Sequence, residues 1–582
     1  MNYKFKISEY NFALLIIAFL IQFKLGDQEA IFVSKIILNK DSYTGDNPYL
    51  LNILNQDFSL LHFFSYFITQ ITNFKFANFL LNYLLTLLSF FSIYYYALLI
   101  TKDKISSFLT VIFLISYNFI NTRFYGIEFP TGFFTYGQTG MYFAFLSCAL
   151  YLNNQKNLFS IFFVSLFFIH AAWFLFCVFF LLIKKIIDKN ASLINFKISL
   201  LATVVIICFI GIVFNLFLGP SGFEINFFDT TQTKVHLDHE KQNLKNINFF
   251  FETHKPHFFY NDKLQIFNVI RFVSFDILFI LTFFCFKKDF SKEILFIFQI
   301  FLILIILSYL YLVLDKSLLN FLPNNFKSFI DRLILTRYLN LINIFLICFY
   351  VSNFFNYLIN CRMKILIPLL FISKFFIINF FAHEKYFVEY FKYGNYLSFY
   401  DLLIYLSIIL MFFLKLSQKN FTVRKNYSII FLILLNIFWY NMNSIVKSIT
   451  EKKIIEKSIE KIGTKERIVL GGKVFGILDI LSLPNENEII LMMNPRFHHY
   501  SKKEYSDLYC NNEGLVFKNQ SIYFDYLNSK CLNKSKEEWE KLSKKMNIGY
   551  IILPLNVKSN LKLLSKTSKF KIYRTTDLLE TK

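Results

Sequence analysis

Carboxylates, guanidinium groups and imidazoles in this chain collect in a few short stretches between long apolar ones. The first is Gly26-Asp27-Gln28-Glu29, just after an apolar run that ends near Phe23; a second acid follows in Tyr43-Thr44-Gly45-Asp46-Asn47-Pro48. A carboxylate at the edge of an apolar bundle suits general-base work, because partial burial tunes its pKa toward the working range. Asp27 leads on that ground, with Glu29 and Asp46 as alternatives. Solvation of a helix end would explain Asp27 and Glu29 equally well, and turn chemistry alone would explain Asp46.

The complementary groups are cationic or hydrogen-bonding. Arg123 opens the stretch Arg123-Phe-Tyr-Gly-Ile-Glu128, while Arg332 and Arg337 frame Arg332-Leu-Ile-Leu-Thr-Arg337 at the start of an apolar run. Guanidinium groups there suit a lipid phosphate, whose oxygens they grip in a bidentate fork; snorkelling to headgroups is the plainer alternative. His254 and His257 lie in Thr253-His-Lys-Pro-His-Phe, with His236 and His239 nearby. Their spacing matches no zinc site well, and hydrogen bonding to a phosphate or sugar is the better expectation. A divalent metal among the carboxylates stays open. No Walker A, GxGxxG, HExxH or GxSxG pattern is present, and Gly471-Gly472-Lys473 lacks the P-loop spacing, so ATP-driven transport and zinc proteolysis have no support.

The elements that must position these residues are apolar. The chain has 582 residues, 55% of them hydrophobic, more than a soluble protein of this size carries. Twelve apolar segments can be marked, at about 10–24, 76–100, 105–122, 136–153, 157–183, 196–218, 265–286, 293–314, 337–358, 364–381, 398–415 and 427–444. Crossing a bilayer takes about 20 apolar residues, so the fold class is a polytopic α-helical membrane protein of about 12 spans. The net charge of +22 does not imply nucleic acid, because Lys and Arg fill the short loops: Lys102 and Lys104, Lys156, Lys184 with Lys185, Lys287 with Lys288, and Arg362 with Lys364. The positive-inside tendency places those loops and the N-terminus in the cytoplasm, and the acid-, Arg- and His-bearing loops outside. The 80 Phe and 35 Tyr accompany high Ile, Asn and Lys, as AT-rich coding would give, and carry no function.

Residues 157–183 have basic ends on both sides, which a single span would not allow. Two shorter arms bent near His170-Ala171-Ala172 are expected, with one long tilted helix as the alternative. The outer loop 25–75 contains two amphipathic stretches, Glu29–Leu38 and Ser59–Thr72, suited to lying along the membrane. Residues 445–582 alternate helices and strands, which predicts a small α/β domain after a bundle spanning 1–444. Strands are expected at Arg467–Leu470, Glu488–Met493, Gly549–Pro554 and Phe570–Arg574, and helices at Glu537–Met546 and from Leu561. This domain falls outside by the span count, where Cys510 and Cys531 are candidates for a disulfide. Cys148, Cys177, Cys208, Cys285 and Cys348 lie in apolar stretches and read as small core residues.

The layout resembles the GT-C superfamily of integral membrane glycosyltransferases: a short N-terminus, a first helix, an acid-led outer loop with membrane-parallel helices, many spans, and a soluble outer domain. Asp27-Gln28-Glu29 is similar to the family's early acidic motif, which often has Asp and Glu adjacent. The resemblance implies a bacterial cytoplasmic-membrane enzyme that moves a sugar from a polyprenyl-phosphate donor to an extracytoplasmic acceptor. One of Asp27, Glu29 and Asp46 would be the base, and Arg123, His254, His257, Arg332 and Arg337 would serve the donor phosphate. Partners would be the lipid-linked donor and membrane lipids. A flippase for lipid-linked glycans, or a polysaccharide polymerase or ligase, is the alternative.

Overall fold

Among the described residues the apolar stretches form helices, and the polar C-terminal region forms a sheet with one helix. The computed structural model describes residues 9–21, 29–39, 60–117, 119–121, 127–129, 136–187, most of 276–287, 290–317, 338–360, 367, 466–471, 489–492 and, with short gaps, 532–575. The chain divides into two units: Met1–Phe23, Tyr83–Leu216 and His254–Met442 make up the first, and Lys24–Asn82, Phe217–Thr253 and Asn443–Lys582 the second.

The chain is mostly helical. Its helices begin with α1 (Glu9–Ile21), α2 (Glu29–Leu38), α3 (Leu60–Ile71), α4 (Phe74–Thr101) and α5 (Lys104–Tyr117). A two-stranded hairpin of β1 (Phe119–Asn121) and β2 (Ile127–Phe129) follows, antiparallel, with Ile120 opposite Glu128. Then come α6 (Tyr136–Leu152), α7 (Lys156–Ile169), α8 (Ala171–Ile187), α9 (Lys292–Ser317) and α10 (Leu339–Asn360).

Among the described residues three helices are long and apolar enough to cross a membrane: Phe74–Thr101, Lys292–Leu310 and Leu339–Asn360. They coincide with three of the twelve expected spans. Segments 196–218, 364–381, 398–415 and 427–444 lie outside the described residues. Helices α1, α5 and α7 are shorter; the 14 residues of α5 reach only about 21 Å, against about 30 Å of hydrocarbon.

Helices α7 and α8 form the bent pair expected at His170. His170 has extended backbone angles (φ −161°, ψ 105°) between two helices. Its N–H donates to the Leu166 carbonyl at 2.8 Å, closing α7, and its carbonyl accepts from Trp173 and Phe174, both at 3.1 Å, opening α8. One residue thus ends one helix and starts the next. The arms fold back on each other. Phe174 lies 4.7 Å from Phe163 and 5.1 Å from Phe167, and Tyr151 of α6 meets both Phe159 at 5.1 Å and Phe180 at 6.1 Å. Phe159 and Phe180 lie almost equally far along the chain from His170, so only a hairpin brings both to one Tyr.

In the second unit, α2 and α3 occupy the two stretches expected in loop 25–75. Helix α3 is amphipathic, with Leu61, His62, Phe63, Ser65, Ile68 and Thr69 buried. Helix α2 is not: every residue from Ala30 to Ile37 is buried. Apolar residues occupy most of its circumference, which leaves no polar face to solvate. The C-terminal region forms β3 (Arg467–Gly471), β4 (Ile489–Met492), α11 (Lys536–Met546), β5 (Ile548–Pro554), β6 (Leu563–Lys566) and β7 (Phe570–Arg574). The sheet order is β4-β3-β5-β7-β6, parallel across the first three strands and antiparallel across the last three. A helix was expected from Leu561; the chain instead forms the edge strand β6, because pairing with β7 satisfies its backbone while Leu563 and Leu564 stay exposed.

Candidate functional site

The hairpin tip marks one end of the first unit's bundle. Lys184, near the end of α8, stands 4.7 Å over the ring of Phe296, near the start of α9. Thirteen residues separate Lys184 from Ala171 along α8, and thirteen separate Phe296 from Tyr309 along α9, about 20 Å in each case. The tip and Tyr309 therefore lie at similar heights, far from the basic turns. Tyr338, which leads into α10, is also at the tip: its hydroxyl donates to the Ala172 carbonyl at 2.7 Å, and its ring lies 5.3 Å from Trp173 and 5.4 Å from Phe176. The start of α6 completes the group. A Cβ added at Gly140 would stand 2.8 Å from His170 Cβ and 2.8 Å from Trp173 Cδ1, so only glycine lets α6 approach this closely.

This end carries several buried polar groups. Gln138, Thr139 and Asn340 are buried in the first turns of α6 and α10, and the Thr139 hydroxyl has no hydrogen-bond partner among the described residues. Asp276 is buried, and Tyr309 donates to its Oδ2 at 2.8 Å. Amide, hydroxyl, imidazole and carboxylate groups at one height can recognise a polar headgroup where it meets the bundle. A carboxylate inside an apolar segment is costly enough to mark a functional place.

In sequence, Arg337 immediately precedes Tyr338, and Arg123 falls between β1 and β2. Arg123, His254, His257, Arg332 and Arg337 themselves lie outside the described residues, as do Asp27, Asp46, Cys208, Cys285, Cys510 and Cys531. Glu29 begins α2, with its side chain outside the described set. Cys148, Cys177 and Cys348 are buried free thiols, as their apolar surroundings suggested. Among the described residues no group of three or more His, Cys, Asp or Glu side chains could hold a metal ion.

Two residues of the second unit escaped the sequence reading. Lys35 on α2 is 2% exposed and His62 on α3 is 7% exposed, on helices that pack against each other. Burial pushes the His62 pKa down to about 4, so the imidazole is neutral near pH 7. A lysine buried this fully is rare outside ion pairs and ligand sites. The available signal was placement: Lys35 interrupts Phe32-Val-Ser-Lys-Ile-Ile, and His62 stands between Leu61 and Phe63.

Comparison with protein families, with characterised proteins and with solved structures gave no match.

Proposed function

We propose that the protein is a multi-spanning membrane glycosyltransferase that moves a sugar from a polyprenyl-phosphate donor to an acceptor hydroxyl on the extracytoplasmic side. In this reading eleven of the twelve apolar segments cross the membrane, and the remaining one, α7 with α8, dips in and out. The basic turns and the N-terminus are cytoplasmic, and the C-terminal α/β domain is extracytoplasmic. The supporting observation is the polar end of the bundle, where the hairpin tip, Tyr338, the start of α6 and Asp276 lie at similar heights.

The step is a single displacement. The acceptor oxygen bonds to the anomeric carbon as the bond from that carbon to the phosphate oxygen breaks. The acceptor proton passes to a carboxylate, with Asp27 first and Glu29 and Asp46 as alternatives. The leaving polyprenyl phosphate keeps the electron pair, and Arg or His donors stabilise its growing charge. One displacement inverts the anomeric configuration. The test is transfer of labelled sugar from a polyprenyl-phosphate donor by the protein in nanodiscs. Asp27→Asn is expected to abolish transfer while insertion and folding persist; full activity in Asp27→Asn, Glu29→Gln and Asp46→Asn alike would sink the base assignment.

The buried Asp276–Tyr309 pair favours a second reading, a flippase for lipid-linked glycans. Vesicles that move labelled lipid without glycosyl transfer, and stop doing so in Asp276→Asn, would select it.

A further inference from the structure

We propose that the edge strand β6, through Leu563, Leu564 and Lys566, is a docking surface that seats the C-terminal sheet on a bilayer of anionic lipid. Leu563 and Leu564 are 48% and 43% exposed. Among the described residues of 466–575 they are the only large apolar side chains left open to solvent. Val469, Trp539, Ile551 and Ile572, by contrast, are buried. Strand β6 is the last of the sheet and neighbours β7 alone. Leu563 pairs with Tyr573 and Ser565 with Ile572, so Leu564 is an extra residue, a bulge. The bulge breaks the strict alternation of faces along the strand, and both leucines stay open.

Three features of β6 discourage the addition of another strand: its length of four residues, the bulge and Lys566. A second copy of the chain pairing at this edge would meet all three. None of the three calls for exposed leucines, so protection of the edge leaves them unexplained.

Charge selects the partner. Lys566 is exposed and stands directly opposite Lys571 of β7, whose Nζ donates to the Val557 carbonyl at 3.0 Å. Like charges directly opposite each other across two strands are unfavourable. Among the described residues no ion pair holds either lysine, and the sequence from 555 to 576 contains no Asp or Glu. A layer of anionic headgroups supplies the missing counter-charge, and a lysine gains near such a surface. The leucines enter the boundary between headgroups and acyl chains, while the lysine stem lies along it and keeps its ammonium among the phosphates. The chain carries helices long and apolar enough to cross a membrane, so the bilayer is at hand without a separate encounter.

The experiment is amide exchange, read by mass spectrometry, on the full chain in single-copy nanodiscs of phosphatidylcholine or of phosphatidylglycerol. Peptides covering 563–566 are expected to exchange about fivefold more slowly in the anionic discs, the gain of one lysine near such a surface. Lys566→Gln should remove most of that difference. Leu563→Ser combined with Leu564→Ser should raise exchange in the anionic discs to the level seen in phosphatidylcholine. Unchanged exchange in α11 shows that the variants fold; if the double serine variant disturbs α11, Lys566→Gln alone decides. Equal exchange in the two lipids, a full lipid difference in Lys566→Gln, or wild-type protection in a folded double serine variant would each overturn the surface. Protection that appears only in discs holding two copies would overturn it too and assign the edge to a second chain. The surface does not rest on the transferase reading, and its failure leaves that reading as it stands.

Discussion

Gly140→Ala tests whether the hairpin tip is clamped against α6. The new Cβ would stand 2.8 Å from both His170 Cβ and Trp173 Cδ1, where carbon atoms in contact sit about 3.5–4.0 Å apart. Relief needs a displacement of about 0.7 Å at two places. Neither neighbour can turn aside: His170 Cβ is fixed to the backbone, and the Trp173 ring is packed beside Phe176 and Tyr338. Forcing atoms into such a site costs about 1–3 kcal/mol. Against this, Ala gains about 1 kcal/mol over Gly inside a helix. The net effect is near zero to about 2 kcal/mol destabilising, so an internal control is needed. Gly137→Ala, three residues earlier on α6, is the control for the change in helix propensity. Amide exchange read by mass spectrometry should show peptides spanning 170–174 exchanging faster in Gly140→Ala than in Gly137→Ala, about tenfold for each 1.4 kcal/mol. Equal protection in the two variants would refute the clamp, and with it the packing that brings His170 to the start of α6.

Further perturbations address other parts of the chain. His62 has a folded pKa of about 4, below its unfolded value of about 6.5. Its contribution is therefore complete above about pH 6.5 and lost as pH falls toward 4, about 3 kcal/mol in all; exchange of α3 amides should accelerate over that window in the wild type and change little in His62→Gln. Ser535→Ala removes the capping box of α11 and should cost about 1 kcal/mol, seen as faster exchange in α11 with β3 unchanged. Tyr338→Phe removes the bond to Ala172 while keeping the ring contacts. Under the proposed function it should raise KM for the donor more than it lowers kcat, because it loosens the hold of Tyr338 on the hairpin tip; a loss confined to kcat would argue that the tyrosine touches the reacting atoms.

The sequence was most legible where periodicity and turn chemistry agree. Arg467–Leu470, Gly549–Pro554 and Phe570–Arg574 are β-rich runs between polar turns, and all three are strands. Lys536–Met546 has its start signal in Ser535-x-x-Glu538 and its stop in Asn547, which sits in the left-handed region at φ 52°. The break at His170 was legible from charge: basic residues at both ends of an apolar segment of hairpin length. Leu561–Ser565 was misread because edge pairing, a non-local effect, outweighs local preference in so short a run. The full burial of α2 was illegible for the same reason, since its surroundings decide it. Lys35 and His62 were passed over because single polar residues in apolar runs carry little pattern, and only their burial makes them notable.

The interior of the first unit bears on the choice between transfer and transport. A route for a polar headgroup needs polar groups along the thickness of the bundle. Below the hairpin tip the centre is filled by rings: Tyr96 stacks on Phe145 at 3.8 Å and meets Phe345 edge-on at 5.9 Å, and Phe298 lies 5.3 Å from Phe345 and 5.7 Å from Phe349. The hydroxyls at this depth bond mainly to carbonyls of their own helices, as Ser92 does to Leu88, Ser147 to Phe143 and Thr110 to Ser106. Among the described residues they offer few polar steps to a passing substrate. Among the described residues the buried polar groups at the tip, with Asp276, thus lie above a packed core, which favours the proposed transfer over passage. Phe145→Ala separates the two cases. Opening the stack should leave sugar transfer within a few-fold of wild type if the site is at the tip, whereas a flippase whose path crosses the stack would move lipid-linked glycan faster.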